Sequence, residues 1–280
     1  MSFFQIVLLA FIQGAAELLP ISSSAHVIIA QKFMGFDPSA PEMTFLLVML
    51  HTGTMFATII YFWDRWKVLL SGANRNHWIK LVAIATVVTL ILGLGIKSLL
   101  ERFIFRSADF QIEDMFNKLP IIAGALFAVG ILIIYSGKKS LSSISYGEMG
   151  SFEAFWIGVA QGIALPFRGF SRSGSTISAG LLMKLPRLQT EEFSFLLALV
   201  LTPPVIARSI WRLWRHPAVN STFSVSKVLT PGLIGMVASF FAGLLALKYL
   251  TAVLEKGKWV YFGYYCVVAS FLVLVADHFL

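Results

Sequence analysis

The chain has 280 residues, 58% of them hydrophobic and 13% charged, with a formal net charge of +8. Soluble domains carry about 25% charged residues, so this composition excludes a soluble globular protein and describes a polytopic membrane protein. The basic excess does not call for nucleic acid, because Lys and Arg fall mostly in the polar connections, where they read as anchors facing anionic headgroups. They are Arg65, Lys67 and Arg75; Arg102 and Arg106; Lys138 and Lys139; Arg212 and Arg215; Lys256 and Lys258. The sequence contains no P-loop, CxxC or HExxH motif. The single Cys266 lies inside an apolar run, which rules out an intrachain disulfide. No basic stretch precedes the first apolar run, so it is not read as a cleaved signal peptide.

In chain order, the first apolar stretch is 3–35, FFQIVLLAFIQGAAELLPISSSAHVIIAQKFMG. It is interrupted by Glu17, Pro20, Ser22, Ser23, Ser24 and His26. Each half is too short to cross a bilayer, which takes about 20 residues. A re-entrant helical hairpin fits, with its polar tip buried in protein or lining a watery cavity. Three uninterrupted stretches follow at roughly 42–63, 78–100 and 119–136, and each predicts a span. The next stretch, 152–185, is broken like the first: a short apolar half, a proline, RGFSRSGST, and a second short half. Three more spans are predicted at 191–211, 230–252 and 260–278. Pro203-Pro204 is expected to break the first of these and to shape a cavity wall.

The two broken stretches resemble each other. Gln13-Gly14 returns as Gln161-Gly162, ISSSA at 21–25 as FSRSG at 170–174, and EMTFLLVML at 42–50 as EFSFLLALV at 192–200. The offsets are 148, 149 and 150 residues, which points to an internal duplication. A re-entrant hairpin leaves by the side it entered, and three spans separate the two. The hairpins therefore enter from opposite faces, and their tips can meet. The expected fold is an all-α polytopic membrane protein, one integral domain over 1–280. It has six transmembrane helices and two re-entrant hairpins in an inverted-topology repeat, approximately 1–136 and 150–280. Such repeats are most familiar in transporters, which makes an anion or lipid transporter the rival to an enzyme.

The tips carry the chemistry. Arg172 at membrane depth costs on the order of 2.5–3.5 kcal/mol and calls for a partner and a cavity. One reading pairs it structurally with Glu17 from the other tip. The other is an anion clamp, because the guanidinium fork matches phosphate oxygens. Ser171, Ser173, Ser175 and Thr176 surround it, Gly174 permits close approach, and a half-helix expected to begin near 174 adds its positive end. Together these read as a phosphate cradle. Glu17 lies four residues after Gln13, so both share a helix face. It reads as a counter-ion to Arg172, as a ligand for a divalent cation bridging to phosphate, or as a general base. His26 reads as a packing residue or a proton-transfer group, and Ser23 as a nucleophile or, like its neighbours, a helix cap. His51, in LHTGT, lines the cavity or bonds a neighbouring helix. A phosphate cradle buried in the membrane suits a lipid with a phosphorylated head.

These motifs resemble the undecaprenyl-diphosphate phosphatase family, also called the bacitracin-resistance protein family. The resemblance runs over nearly the whole chain. It rests on QGAAELLPISSSAH at 13–26, RGFSRSGST at 168–176, HTGT at 51–54 and EFSFLLA at 192–198. It implies removal of the terminal phosphate of undecaprenyl diphosphate, which yields the lipid carrier of envelope polymers. It also implies a divalent cation (Mg²⁺ or Ca²⁺) and a site on the outer side of the bacterial cytoplasmic membrane. Carried over by position, Glu17 is the essential acid and metal ligand, Ser23 the nucleophile, His26 the proton-transfer residue and Arg172 the phosphate clamp. Gln13, Ser22, Ser24, Arg168, Ser171, Ser173, Gly174 and Thr176 are the expected substrate-binding residues. Two positions depart from the family pattern: Gln13 replaces the commoner glutamate, and Arg168 stands where proline is usual. The expected partners are a polyprenyl diphosphate lipid and the membrane lipids, with no nucleic acid; among assemblies only a homodimer is entertained. Lys and Arg are similarly distributed on both faces, so charge alone assigns no orientation.

Overall fold

The computed structural model describes residues 1–38, 40–72, 74–104, 118–141, 147–215 and 225–278. Arg106, one of the expected anchors, lies outside the described residues. These form ten α-helices and no strand. They are α1 (Phe3–Leu18), α2 (Ser23–Phe33), α3 (Pro41–Leu69), α4 (Arg75–Leu99), α5 (Leu119–Leu141), α6 (Ser151–Ala164), α7 (Arg172–Leu182), α8 (Arg187–Arg215), α9 (Val225–Glu255) and α10 (Val260–Asp277). A π-helical turn, Leu100–Ile104, extends α4.

Helices α3, α4, α5, α8, α9 and α10 are each long and apolar enough to cross a membrane. They coincide with the six predicted spans. The remaining four are short. At about 1.5 Å per residue, the 16-residue α1 and the 14-residue α6 fall short of the about 30 Å hydrocarbon core. Their partners α2 and α7 have only 11 residues each. Many large apolar side chains are exposed, such as Leu90, Ile91 and Leu94 on α4 and Phe271, Leu272 and Val275 on α10. In a membrane protein that surface belongs against lipid.

Pro203 and Pro204 do not break the span expected at 191–211. Helix α8 runs through both as one 29-residue helix. Both prolines are exposed on the outside of the bundle, so they do not form a cavity wall. Membrane helices tolerate proline because local adjustment and neighbouring groups re-satisfy the freed backbone. The Thr202 hydroxyl beside them donates to the Ala198 carbonyl at 2.7 Å.

Small residues let the short helices approach the long ones closely. A Cβ added at Gly14 of α1 would lie 2.6 Å from Ala242 Cβ and 2.7 Å from the Ser239 carbonyl oxygen, both on α9. One added at Gly162 of α6 would lie 2.8 Å from Leu92 Cβ and 3.2 Å from the Thr89 carbonyl oxygen, both on α4. Helix α1 is thus seated on α9, and α6 on α4.

Buried polar links fix α7. Ser136 of α5 accepts from Trp259 Nε1 at 3.1 Å and its hydroxyl pairs with Ser178 Oγ of α7 at 2.9 Å. Thr176 Oγ1 of α7 pairs with Ser194 Oγ of α8 at 2.6 Å. The apolar core around them includes Leu18, Phe62, Trp66, Phe195, Leu250 and Cys266. Cys266 is buried and unbridged, as the sequence required.

Candidate active site

The first site segment is the turn between α1 and α2. Leu19-Pro20 cannot extend α1, because proline disfavours helical backbone at the residue before it. The chain reverses tightly, with Ile21 N–H on the Leu19 carbonyl at 2.8 Å. Ser22 then adopts φ 69°, in the left-handed region that L-residues avoid. Such a conformation costs on the order of 1–3 kcal/mol and clusters at functional sites. It turns Ser23 back as the first residue of α2, over the end of α1. There the Ser23 hydroxyl donates to Glu17 Oε2 at 2.5 Å. One helical turn earlier, Gln13 Nε2 donates to the same oxygen at 3.3 Å. Gln13 is wholly buried, and its Oε1 has no hydrogen-bond partner.

The second segment is the turn between α6 and α7. Gly169 sits at φ +94°, and a Cβ there would lie 2.4 Å from the Ile122 carbonyl oxygen. Only glycine meets both conditions. Ser171 then caps α7 by accepting from Gly174 N–H at 3.1 Å. The helix therefore starts at Arg172, two residues before the expected position. Gly169→Ala is expected to lower the folded yield and the thermal midpoint in detergent, because the left-handed backbone alone costs about 1–2 kcal/mol without glycine. An unchanged midpoint and activity would show that this turn does not set the position of Arg172.

The two turns meet. Arg172 Nη2 donates to Glu17 Oε1 at 2.9 Å, with both side chains less than one-fifth exposed. Gly169 N–H donates to Ser24 Oγ at 3.3 Å, and Ser173 Oγ to the Leu19 carbonyl at 3.5 Å. Arg172 Nη1 is buried and unpartnered. Glu17 and Arg172 line a small cavity that is partly open to the outside. Its other walls come from α3 and α8.

The predicted site residues thus divide. Glu17, Ser23, Gln13 and Arg172 converge around one carboxylate. His26 does not join them. Its Nδ1 lies 2.8 Å from the Ser22 carbonyl and its Nε2 2.7 Å from the Tyr265 hydroxyl, with the two rings stacked at 5.7 Å. Because a carbonyl only accepts, Nδ1 carries a proton; Nε2 pairs with the Tyr265 hydroxyl, accepting from it when the ring is neutral and donating to it when the ring is charged. Several hydroxyls serve local structure. Ser22 and Ser24 pair with each other at 3.3 Å. Ser171 caps the helix, Ser173 lies 3.4 Å from it, and Ser175 and Thr176 donate to the Arg172 carbonyl at 2.9 Å. Gly174 is buried behind this cap, and Arg168 is half-buried on the same turn.

His51 faces the cavity, the first of the two readings its sequence position left open. Its Nδ1 donates to the Leu47 carbonyl at 2.8 Å, which aims Nε2 at Glu17 Oε2, 3.6 Å away. The Tyr265 contact was not foreseen. The available signal was only that an aromatic pair, Tyr264-Tyr265, interrupts the last apolar span.

A carboxylate that holds a serine hydroxyl on one oxygen and an arginine on the other is equipped to take a proton beside an anion site. The family model described as bacitracin resistance protein BacA matches residues 6–272. The chain is 49% identical over 282 residues to undecaprenyl-diphosphatase 2 of Acinetobacter baylyi, covering 98% of each chain. It is 34% identical to the undecaprenyl-diphosphatase of Rhodopirellula baltica, with 98% of this chain and 97% of the relative covered. It is 31% identical to that of Halothermothrix orenii, with 98% of each covered.

Proposed function

This chain belongs to the bacitracin resistance protein BacA family, and on that premise we infer that it hydrolyses undecaprenyl diphosphate to undecaprenyl phosphate and inorganic phosphate. It is a multi-span membrane enzyme, and the reading as a transporter is not favoured. The observation that carries the mechanism is the Glu17 carboxylate, held between Ser23 Oγ at 2.5 Å and Arg172 Nη2 at 2.9 Å.

Arg172 binds the diphosphate through its unpartnered Nη1. Ser23 Oγ attacks the terminal phosphorus and its proton passes to Glu17. The bond from that phosphorus to the bridging oxygen breaks, and its electron pair leaves on undecaprenyl phosphate. Glu17 passes that proton to the oxygen of the departing undecaprenyl phosphate and, again a carboxylate, takes one from the water that attacks the phosphoserine, returning it to Ser23 Oγ as inorganic phosphate leaves. His26, held by the Ser22 carbonyl and the Tyr265 hydroxyl, takes no step in this scheme.

The site suits a divalent cation, Mg²⁺ or Ca²⁺. Glu17 and the unpartnered buried Gln13 Oε1 are hard oxygen donors. Among the described residues, no three His, Cys, Asp or Glu side chains gather to hold a metal, so substrate oxygens would complete the shell, as is usual for magnesium. Such an ion would neutralise charge on the phosphoryl oxygens.

The fold reading follows. Helices α1–α2 and α6–α7 form two re-entrant hairpins of an inverted repeat, over about 1–136 and 150–280, within one membrane domain. The equivalent seats of Gly14 on α9 and Gly162 on α4 support it. The enzyme lies in the bacterial cytoplasmic membrane with its site toward the outer side.

The test is phosphate release from undecaprenyl diphosphate by the purified protein in detergent, with and without EDTA. Release that falls at least about 10-fold with EDTA and returns with Mg²⁺ or Ca²⁺ is expected. Release unaffected by EDTA would remove the cation from the mechanism. No release from folded protein would remove the phosphatase itself.

A further inference from the structure

We propose that the mouth of the cavity between α3 and α8 is the exit for the polyprenyl chain of the substrate, and that the chain lies along Met55, Ile59 and Trp63 on the outer face of α3. The inference rests on the phosphatase reading and deepens it, by giving a place to the part of the substrate that does not react.

A lipid diphosphate held at Glu17 and Arg172 has its head in the protein and its tail in the bilayer, so the chain must pass between helices. The short helices supply Glu17, Leu18 and Arg172 to the cavity, and every other lining residue comes from α3 or α8. These two helices are closed against each other at one end. Phe62 of α3 stacks on Phe195 of α8 with ring centroids 5.5 Å apart, and about one turn on Arg65 Nη1 donates to Glu192 Oε1 at 3.0 Å. Rising numbers on α3 meet falling numbers on α8, so the helices are antiparallel. Continuing that register sets Thr58 level with Leu199 and Met55 level with Thr202, and all four line the cavity. Beyond Phe62, therefore, α3 and α8 part around it.

The walls differ in exposure. Thr54, Thr58, Phe195 and Ala198 are buried. His51, Met55, Leu199 and Thr202 are half-buried and form the rim. On each helix the polar rim residue, His51 or Thr202, lies farther from the closed end than the apolar one, Met55 or Leu199. The mouth is thus amphipathic along its length, polar where phosphate and water pass and apolar toward the closed end. A head-group pocket open only to water has no use for that apolar edge; an amphiphile has. Past Met55 the closed helices leave the chain no way between them, so it turns onto the outside of α3. Met55, Ile59 and Trp63 repeat at four-residue spacing and form one stripe. Exposure rises along it, from half-buried Met55 and Ile59 to Trp63 at 58%. The stripe starts near the middle of the span Glu42–Leu69 and covers about 12 Å, room for the first isoprene units.

Lipid and detergent solvate an apolar chain as well as this stripe does, so the stripe supplies a path more than an affinity. Obstruction therefore tests it better than truncation. Ile59→Trp adds bulk on the stripe outside the cavity, and Leu272→Trp adds it on the lipid-facing side of α10 as a control. The readouts in detergent are KM for undecaprenyl diphosphate and the inhibition constant of dimethylallyl diphosphate, whose single isoprene unit is too short to reach Ile59. Ile59→Trp is expected to raise the KM about 10-fold, the size of an overpacking effect, and to move the inhibition constant less than about 3-fold. Leu272→Trp should move neither. A second measurement needs no turnover: with p-benzoylphenylalanine in place of Trp63 or of Leu272, irradiation with radiolabelled undecaprenyl phosphate should label the protein at 63 in excess of 272. Equal KM in Ile59→Trp and wild type, or equal labelling at the two positions, would overturn the path while leaving the phosphatase standing. So would an equal rise in both constants, because that describes a distorted site. A wild type that hydrolyses no lipid diphosphate would overturn both readings.

Discussion

Arg172→Ala is expected to lower phosphate release about 1,000-fold, within the range for removing a cation that stabilises a transferring phosphoryl group. It should also destabilise the protein. Arg172 and Glu17 are mostly enclosed and in contact at 2.9 Å. Removing one partner of such a pair leaves the other charge uncompensated, at about 3–5 kcal/mol. The two effects separate in a cycle. Glu17→Gln combined with Arg172→Ala removes both charges, so the double variant should melt higher in detergent than Arg172→Ala alone while remaining inactive. Arg172→Lys should restore part of the midpoint but little activity, because an ammonium cannot hold Glu17 with one nitrogen and offer a second to substrate. If Arg172→Ala keeps a wild-type midpoint and loses activity, the arginine is held for chemistry and contributes nothing to the fold. If it loses stability and keeps activity, it is a structural counter-ion, the alternative its sequence position left open.

That alternative shows how far the chain could be read. The six long helices are legible because crossing a bilayer imposes a length on an apolar run, and the four short ones because they fail that length. Gln13 and Glu17 are legible as neighbours through helical spacing alone, and they are in contact. The approach of Arg172 to Glu17 needs only one further step, a count of the crossings between the two broken stretches. What could not be read depends on contacts between distant helices. His26 is three residues after Ser23, yet its ring goes to Tyr265 on the last helix. His51 meets Glu17 only because α3 packs beside α1. The roles of the serines and threonines of 171–176 were not legible for another reason. Such side chains bond to nearby backbone as readily as to a ligand, and here Ser171 caps a helix while Ser175 and Thr176 bond to the Arg172 carbonyl. Composition cannot distinguish these uses. Pro203-Pro204 misled because a proline rule learned in water overstates the break in a membrane helix, where local adjustment keeps the backbone helical.

Ser23→Ala is expected to abolish a covalent intermediate and to lower turnover about 100–10,000-fold, the span typical of losing a positioned acid–base or nucleophilic partner. The expectation follows from one contact, the serine hydroxyl on Glu17 Oε2. Wild type incubated with substrate labelled on the terminal phosphate and quenched in acid should retain label on Ser23, and Ser23→Ala should retain none. Glu17→Gln should fall as far, because an amide cannot take the serine proton. Residues that act as one unit are not additive, so the Ser23→Ala, Glu17→Gln double variant should be no slower than the slower single one. A multiplicative double loss would mean that the two act in separate steps. Near-normal turnover in Ser23→Ala would exclude the covalent route outright. Glu17 would then take its proton from water, which would attack the phosphorus directly, and the strained Ser22 turn would serve to place the helix start rather than a nucleophile.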